Sequence, residues 1–319
     1  MLFRNTFVLI MIPFNTLKFK RIIGIISHLL DRNFMVDYIS TKLTRFYSDE
    51  RYIRLKYRLH FNKEIDLVNP KGFNEKLNWL KLNFRNPLFT MMADKYWVKQ
   101  YVANKIGKEY VVPCYGCWKS VDEIGFDSLP DKCFLKSTHD SGGGILVDKS
   151  EGIDWKRIRK RFNKKTLQGK NWYWHLREYP YKHIEPRIIA EEYLDEGTGK
   201  ELHDYKFYCF NGEPAYMYVT NKGRKIYENY YDLKFNAIDI SHGYDRVYPE
   251  FSKPANFEKM IELARVLSNG LPFVRVDFFN VNNKLYFGEF TFYDWGGMKP
   301  LKDPWESRLG EMIKLPPLF

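Results

Sequence analysis

Four cysteines in a chain of 319 residues are too few for a disulfide-stapled fold, and they suggest a reducing, cytoplasmic compartment. Cys114 and Cys117 form one C-x-x-C pair, but Cys133 and Cys209 supply no second pair at the spacing of a structural zinc site. A redox-active pair has no better support than zinc. We therefore expect ordinary buried thiols.

The apolar run near the N-terminus, FVLIMIPF from Phe7 to Phe14, is too short to span a bilayer. No small-residue cleavage site follows it, which argues against a signal peptide. Lys18, Lys20 and Arg21 then separate this run from a second apolar patch, IIGIISHLL. The segment could lie in a membrane interface as a basic amphipathic anchor, or it could pack on the protein body.

The familiar phosphate-binding loops are absent around the glycine triplet Gly142–Gly144. A P-loop has its lysine after the glycines, whereas Lys136 precedes them here. No HRD or DFG motif of a protein kinase follows, and no G-x-G-x-x-G fingerprint surrounds the triplet. The order is strand, lysine, glycine loop, strand, so the triplet is either a lid over phosphates or a plain surface turn.

The formal net charge of +12 predicts anionic partners such as nucleotides, phosphosugars, acidic glycans or an anionic membrane face. We expect no nucleic-acid partner, because no helix-turn-helix, zinc-finger or RNA-binding signature accompanies the charge. The basic run DWKRIRKRFNKK could meet an anionic glycan or a lipid phosphate, or it could be the solvated face of a helix.

Hydrophobic periodicity divides the chain into a helical region and an α+β body. From about residue 41 to residue 107, apolar residues recur at three- and four-residue spacing, which predicts amphipathic helices. Helical patterns return at Asp154–Phe162 and Phe257–Leu267. Short β-rich segments make up most of the rest: YVVPCYGCW, KCFLKST, GILVDK, PRIIAEEYL, DYKFYCF, PAYMYVT, PFVRVDFFN and KLYFGEFTF.

Two of these segments predict a carboxylate site. Side chains alternate along a strand, so Arg275 and Asp277 share one face of PFVRVDFFN, and Glu289 and Thr291 share one face of KLYFGEFTF. Asn282–Asn283 is good hairpin-turn material, and a hairpin centred on Asn283 would set Asp277 opposite Glu289 and Arg275 opposite Thr291. Facing carboxylates are destabilising unless a cation compensates, which predicts magnesium; the alternative is an exposed Asp277–Arg275 pair.

Two further acidic segments lie between the glycine loop and this hairpin. Glu191 and Glu192 end a branched apolar strand, where an acidic pair is unexpected unless it is exposed or functional. Asp204 and Lys206 share one face of DYKFYCF, and Asn211–Gly212 marks the turn after it. Taken alone, each of these charges could belong to the surface.

The order of these features resembles the ATP-grasp superfamily and, more closely, its TupA-like branch, named after teichuronopeptide synthesis. The segments that carry the resemblance are FNEKLNWLK, ADKYWVKQYV, FLKSTHDSGGGI, IIAEEYL, DYKFYCFNG, VRVDFF and YFGEFTFYDWGGM, over about residues 50–297. The resemblance implies two lobes with antiparallel sheets that grip ATP. The expected domains are a basic apolar segment (1–40), a helical region (41–110), a first lobe with the glycine-rich lid (111–190) and a second lobe with the metal site (191–319).

The resemblance also implies roles for individual residues. Those expected to bind ATP are Lys136 and Lys206 at the phosphates, Gly142, Gly143 and Gly144 as the lid, Glu191, Glu192 and Leu194 at the adenine hinge, and Asp204 at the ribose. The expected magnesium ligands are Asp277, Glu289 and Thr291, the last standing where most members carry asparagine. The expected catalytic residues are Arg275, Lys206 and His139, although a structural role is favoured for His139 beside the lid.

The resemblance further implies an ATP- and magnesium-dependent ligase that activates a carboxylate as an acyl phosphate and then joins it to an amine. The expected partners are an acidic sugar or polysaccharide intermediate and an amine co-substrate, in bacterial surface-polysaccharide synthesis, with a peripheral contact at the inner membrane. A glycosyltransferase is the alternative, although the D-x-D of many metal-dependent ones is missing. A scaffold built on a decayed fold stays open because of Thr291.

Overall fold

The computed structural model describes residues 46–140, 144–163, 167, 171–196, 202–221, 225–242 and 244–317. The expectations for the N-terminal segment, residues 1–40, and for Gly142 and Gly143 lie outside this part of the chain. From Tyr47 onward the chain forms one compact unit. None of the helices in the described ranges is both long and apolar enough to cross a membrane.

The helical region predicted before residue 110 is confirmed. Its helices are α1 (Asp49–Phe61), α2 (Phe73–Asn83), α3 (Leu88–Ala93) and α4 (Trp97–Ile106). At the start of α1 the Ser48 hydroxyl accepts a hydrogen bond from the Arg51 backbone N–H, and Asn62 ends the helix in a left-handed conformation. Local capping therefore fixes both ends of this helix.

A four-stranded antiparallel sheet follows, in the order β1-β4-β2-β3. Its strands are β1 (Cys114–Trp118), β2 (Lys132–Ser137), β3 (Ile145–Asp148) and β4 (Ile188–Glu192). Helix α5 (Trp155–Phe162) and the short helix α6 (Tyr173–Leu176) lie between β3 and β4. Cys133 and Leu135 pack in one core with α5, so Phe134 and Lys136 point to the opposite face.

A six-stranded antiparallel sheet has the order β10-β9-β5-β6-β7-β8. Its strands are β5 (His203–Phe210), β6 (Glu213–Asn221), β7 (Glu228–Asp232), β8 (Ala237–Ile238), β9 (Phe273–Val281) and β10 (Lys284–Thr291). Helix α7 (Phe257–Ser268) packs on one face, where the Phe257 ring lies 5.8 Å from that of Phe207. Helix α2 packs on the other through Phe73, and α8 (Trp305–Met312) follows β10.

The expectation of an α+β chain with two antiparallel sheets is thus confirmed. The β-rich segments and both later helical patterns fall on observed elements, whereas β7 and β8 were not predicted. The predicted lobe boundaries stay a prediction; the one between residues 190 and 191 falls within β4.

The hairpin of β9 and β10 differs from the predicted register between the turn and Phe287. Asn282 and Asn283 both have positive φ, 50° and 63°, as a two-residue turn requires, and Val281 pairs with Lys284, so the hairpin is centred between the two asparagines and not on Asn283. Thr291 pairs with Arg275 as expected. The register shifts between Phe287 and Phe290, so two residues, Gly288 and Glu289, lie opposite Asp277. This β-bulge displaces Glu289 from direct opposition to Asp277.

Candidate active site

A cavity of about 740 Å³ is lined by both sheets and by helix α4. Its charged lining residues include Lys99 from α4, Lys136 from β2, Glu191 and Glu192 from β4, Asp204 and Lys206 from β5, Asp277 from β9 and Glu289 from β10. The alternation of β2 explains why Lys136 faces this cavity while Leu135 faces the core behind it. Residues distant in sequence therefore converge on one cleft.

At one end of the cleft two lysines share one glutamate. Glu191 is 5% exposed, and its carboxylate lies 2.5 Å from the Lys136 Nζ and 2.7 Å from the Lys99 Nζ. Lys99 also donates to the Val112 carbonyl over 2.7 Å. Lys99 was not among the predicted site residues, because a lysine on an amphipathic helix usually belongs to the solvated face. Its segment, ADKYWVKQYV, was the available signal.

At the other end Lys206 and Arg275 share Asp277. The Lys206 Nζ lies 2.6 Å from Asp277 Oδ2 and 3.2 Å from Asp204 Oδ2. Arg275 donates to both Asp277 oxygens, from Nε over 2.7 Å and from Nη2 over 2.8 Å. Asp277 is 2% exposed, so this is not the exposed pair considered as the alternative.

Neighbouring charges keep these buried groups ionised. Burial opposes ionisation of Glu191, but Lys136 and Lys99 outweigh it and lower its pKa. Burial acts in the same way on Asp277, whose pKa Arg275 and Lys206 lower. Burial also opposes the charge of Lys206, yet Asp204 and Asp277 raise its pKa. The cleft therefore holds alternating positive and negative charges at neutral pH.

The sequence profile of the family described as TupA-like ATPgrasp matches residues 75–314. The chain belongs to the TupA-like ATP-grasp family. Two antiparallel sheets around one charged cleft are therefore the ATP-grasp fold of this protein. No curated protein matches the sequence.

Ligases are among the solved structures similar to this TupA-like ATP-grasp protein. A D-alanine–D-alanine ligase from Bacillus anthracis matches with 15% identity and a TM-score of 0.41, over 70% of this chain and 66% of that one. An L-amino acid ligase from Bacillus licheniformis matches with 12% identity and a TM-score of 0.42, over 79% of this chain and 55% of that one. The chain thus covers less than two thirds of these ligases' own length.

Asp277 and Glu289 fit a shared divalent cation in this TupA-like ATP-grasp protein. One guanidinium nitrogen, Arg275 Nη2, lies 2.8 Å from Asp277 Oδ2 and 3.2 Å from Glu289 Oε1, so both carboxylates converge on one positive centre. Within the described ranges no three His, Cys, Asp or Glu side chains form a closed metal site. Two carboxylates are, however, the sparse donor set that magnesium takes when phosphates and water complete its coordination.

The remaining predicted site residues have different positions. Glu192 and Leu194 line the cavity, and so does Gly144, where a Cβ would lie 2.8 Å from the Leu135 carbonyl oxygen. His139 is buried outside the lining, and burial lowers the pKa of its imidazole. Thr291 is half-buried opposite Arg275 and outside the lining. The roles of all these residues stay predictions.

A buried polar network behind Arg275 was not predicted. Its Nη1 donates to Asp294 over 2.6 Å and to the Tyr218 hydroxyl over 3.0 Å. Asp294 also accepts from the Tyr208 hydroxyl over 2.6 Å, and the His242 Nε2 lies 3.6 Å away. Burial lowers the pKa of His242 to about 4, so this imidazole is neutral at physiological pH. The network fixes Arg275 from the side opposite Asp277.

Glu228, in the same region, predicts a pH dependence of stability. Burial raises its pKa from 4.5 to about 7, although a hydrogen bond donated by the His242 backbone N–H acts to lower it. Between pH 4.5 and pH 7 the folded state therefore keeps a proton on Glu228 that the unfolded state has lost. The stability that this proton contributes is lost as pH rises through 7. Glu228→Gln cannot ionise at this position. Its free energy of unfolding, relative to that of wild type, should therefore rise by about 3 kcal/mol between pH 4.5 and pH 8. Urea melts across this range measure the difference.

The exposed pair Lys259–Glu262 provides the control for this measurement. Glu262→Gln should differ from wild type by an amount that does not change with pH. A constant difference between Glu228→Gln and wild type would contradict the prediction.

Proposed function

We propose that this protein is an ATP- and magnesium-dependent ligase that joins a carboxylate to an amine. The observation that carries the proposal is the convergence of Lys99, Lys136, Lys206, Asp277 and Glu289 on one cleft, with the buried Arg275 paired to Asp277. Membership in an ATP-grasp family supports ATP as the ligand. Bound ATP and magnesium would supply the phosphoryl group that turns a carboxylate into an acyl phosphate, from which an amine displaces phosphate.

The chain's own residues would position and neutralise charge. Lys136 and Lys99 lie together at the β4 end, where they can bind phosphate oxygens that compete with Glu191. Asp277 and Glu289 would hold the magnesium ion. A magnesium ion at Asp277 would weaken the ion pairs of that carboxylate with Lys206 and Arg275. Both cations could then stabilise negative charge on the phosphoryl group that is transferred. No side-chain nucleophile is required.

The acceptor that we propose is an acidic sugar or polysaccharide intermediate, and the second substrate is an amine, in bacterial surface-polysaccharide synthesis. The net charge of +12 supports an anionic acceptor, and the family supports the pathway class. We also propose a cytoplasmic protein with a peripheral contact at the inner membrane.

A thermal-shift titration with ATP, with and without magnesium, tests the nucleotide part. At a concentration 100 times the Kd, ATP with magnesium should add about 2.7 kcal/mol to the free energy of unfolding. ADP and phosphate should then appear only when an acidic sugar and an amine are both present. Consumption of a nucleotide-sugar without ATP would instead establish the glycosyltransferase, and no response to ATP would establish the scaffold.

Lys99 offers a sharper version of the same titration. Lys99→Met should weaken ATP binding about tenfold or more, the usual worth of a charge-assisted hydrogen bond. Lys105→Met is the matched control, because Lys105 is an exposed lysine on the same helix. Equal ATP affinities of the two variants would remove Lys99 from the proposed site.

A further inference from the structure

The turn after β10 holds a tryptophan in an unfavourable backbone conformation. Trp295, Gly296 and Gly297 are three consecutive left-handed residues, and Trp295 has φ 49° and ψ 28°. A bulky side chain in this region is rare, and such strain concentrates at functional sites. Trp295 nevertheless remains 37% exposed, so burial of its side chain does not explain why the strained backbone is kept.

Close packing and hydrogen bonds to helices α2 and α6 hold this turn rigidly. A Cβ at Gly296 would lie 2.3 Å from the Leu176 Cδ1, and one at Gly297 would lie 2.9 Å from the Asn78 Nδ2. Asn78 donates to the Gly297 carbonyl over 2.7 Å, and the buried Lys81 ammonium donates to the Gly296 carbonyl. The indole therefore projects from a fixed base and not from a loose loop.

Two side chains complete a platform around this indole. The Lys299 Nζ lies 3.6 Å from the centre of the Trp295 ring and 4.8 Å from that of Tyr244. The two rings are 5.7 Å apart and inclined by 36°. Across the described ranges Lys299 has no carboxylate within ion-pair distance, and burial lowers the pKa of its ammonium group. A half-buried lysine held between two rings can still pair with an anion from a ligand.

The platform lies across Arg275 from the nucleotide cleft. The guanidinium group faces Asp277 with two nitrogens and Asp294 with the third, and Asp294 directly precedes Trp295. Trp295, Tyr244 and Lys299 are not among the residues that line the cleft. In the proposed reaction the carboxylate that is activated meets ATP beside Arg275, and the platform flanks the same arginine through Asp294, so it is placed for a neighbouring sugar unit of a polysaccharide acceptor.

We propose that Trp295, Tyr244 and Lys299 form a subsite for a second pyranose unit of the acceptor, whose own negative charge is not the carboxylate that is activated. The apolar C–H face of a pyranose ring packs flat on an indole, and the Lys299 ammonium pairs with the sugar's anionic group. An amine is the poorer fit, because Asp294 and Glu228 are buried and already hydrogen-bonded, and the available charge is positive. The inference rests on the proposed ligase function and names its substrate class.

Matched sugar pairs test the subsite in the full-length protein by saturation-transfer NMR titration. The probes are methyl glucuronide against methyl glucoside and methyl galacturonide against methyl galactoside, which differ only in the charged group. Wild type should bind at least one uronide about tenfold or more tighter than its neutral partner. Lys299→Met should bind the two members of that pair equally. If neither uronide binds more tightly than its neutral partner in wild type, the proposal is overturned.

Trp295→Asn removes the ring and keeps a residue that tolerates the left-handed conformation. It should lose uronide binding by tenfold or more while its melting temperature stays at or above that of wild type; Trp155→Ala, at another exposed tryptophan, should bind as wild type does. Unchanged uronide binding in Trp295→Asn would overturn the proposal, and a ring with a merely structural role would lower the melting temperature.

The ATP titration separates the two proposals. Uronide binding without any ATP response refutes the ligase and keeps the subsite, whereas an ATP response without uronide preference refutes the subsite alone.

Discussion

Asp277→Asn should lower the rate of ATP-dependent ligation by at least about 10³-fold and abolish the stabilisation by ATP with magnesium. Asparagine has the shape of aspartate without its charge, so one of the two carboxylates that converge near Arg275 is lost. Arg275, which is buried, and Lys206, which is half-buried, then lose their common anionic partner. We expect the free energy of unfolding to fall by about 3 kcal/mol, the lower end of what removing one partner of a buried ion pair costs.

The control for Asp277→Asn is Asp94→Asn. Asp94 is also buried and pairs with Arg187 over 2.7 Å, but it is not a lining residue of the cleft. The two variants should lose similar stability by urea titration, and only Asp277→Asn should lose the response to ATP with magnesium. If Asp277→Asn still responds to ATP with magnesium as wild type does, the metal site is wrong.

Gly310→Ala should destabilise the protein by about 2 kcal/mol. A Cβ at Gly310 would lie 2.2 Å from the Lys71 carbonyl oxygen and 2.8 Å from the Phe73 backbone nitrogen. All these neighbours are backbone atoms, so no side chain can rotate away, and α8 must move off the start of α2. Overpacking of this kind costs about 1–3 kcal/mol or more, which exceeds the gain of roughly 1 kcal/mol in helix propensity.

The movement should also break a specific interaction between these helices. Glu306 on α8 accepts hydrogen bonds from the backbone N–H of Asn74, over 2.8 Å, and from its side-chain amide, over 2.6 Å. Gly125→Ala is the control, because a Cβ there meets only the Ser128 hydroxyl, at 3.4 Å. It should change the free energy of unfolding by less than about 0.5 kcal/mol. Equal denaturation midpoints of Gly310→Ala and wild type would contradict the close contact.

Local patterns predicted much of the fold because they act over a few residues. The two asparagines of the β9–β10 turn tolerate positive φ, and alternation along β9 correctly sets Arg275 and Asp277 on one face. Strand β7, ENYYD, was missed because four of its five residues are buried on both faces of the sheet and show no alternation. The β-bulge at Gly288 and Glu289 was missed because nothing in the hairpin sequence requires it.

The site was predicted in part for the same reason. Lys136, Glu191, Lys206, Asp277 and Glu289 stand in a recognisable order, and the structure brings all of them to one cleft. Their pairing did not follow from that order. The chemistry of Glu191 depends on Lys99 and Lys136, which lie 92 and 55 positions before it in the chain.

The sequence by itself determined which residues can carry charge, which segments alternate and where the chain can turn, because these are properties of neighbouring residues. Only the tertiary structure decided which charges meet. It brought Lys99 to Glu191, paired the buried Asp294 with Arg275 and left Trp295 exposed on a strained turn. Electrostatic energy depends on distance and burial, and for residues far apart in the chain both are fixed by packing alone.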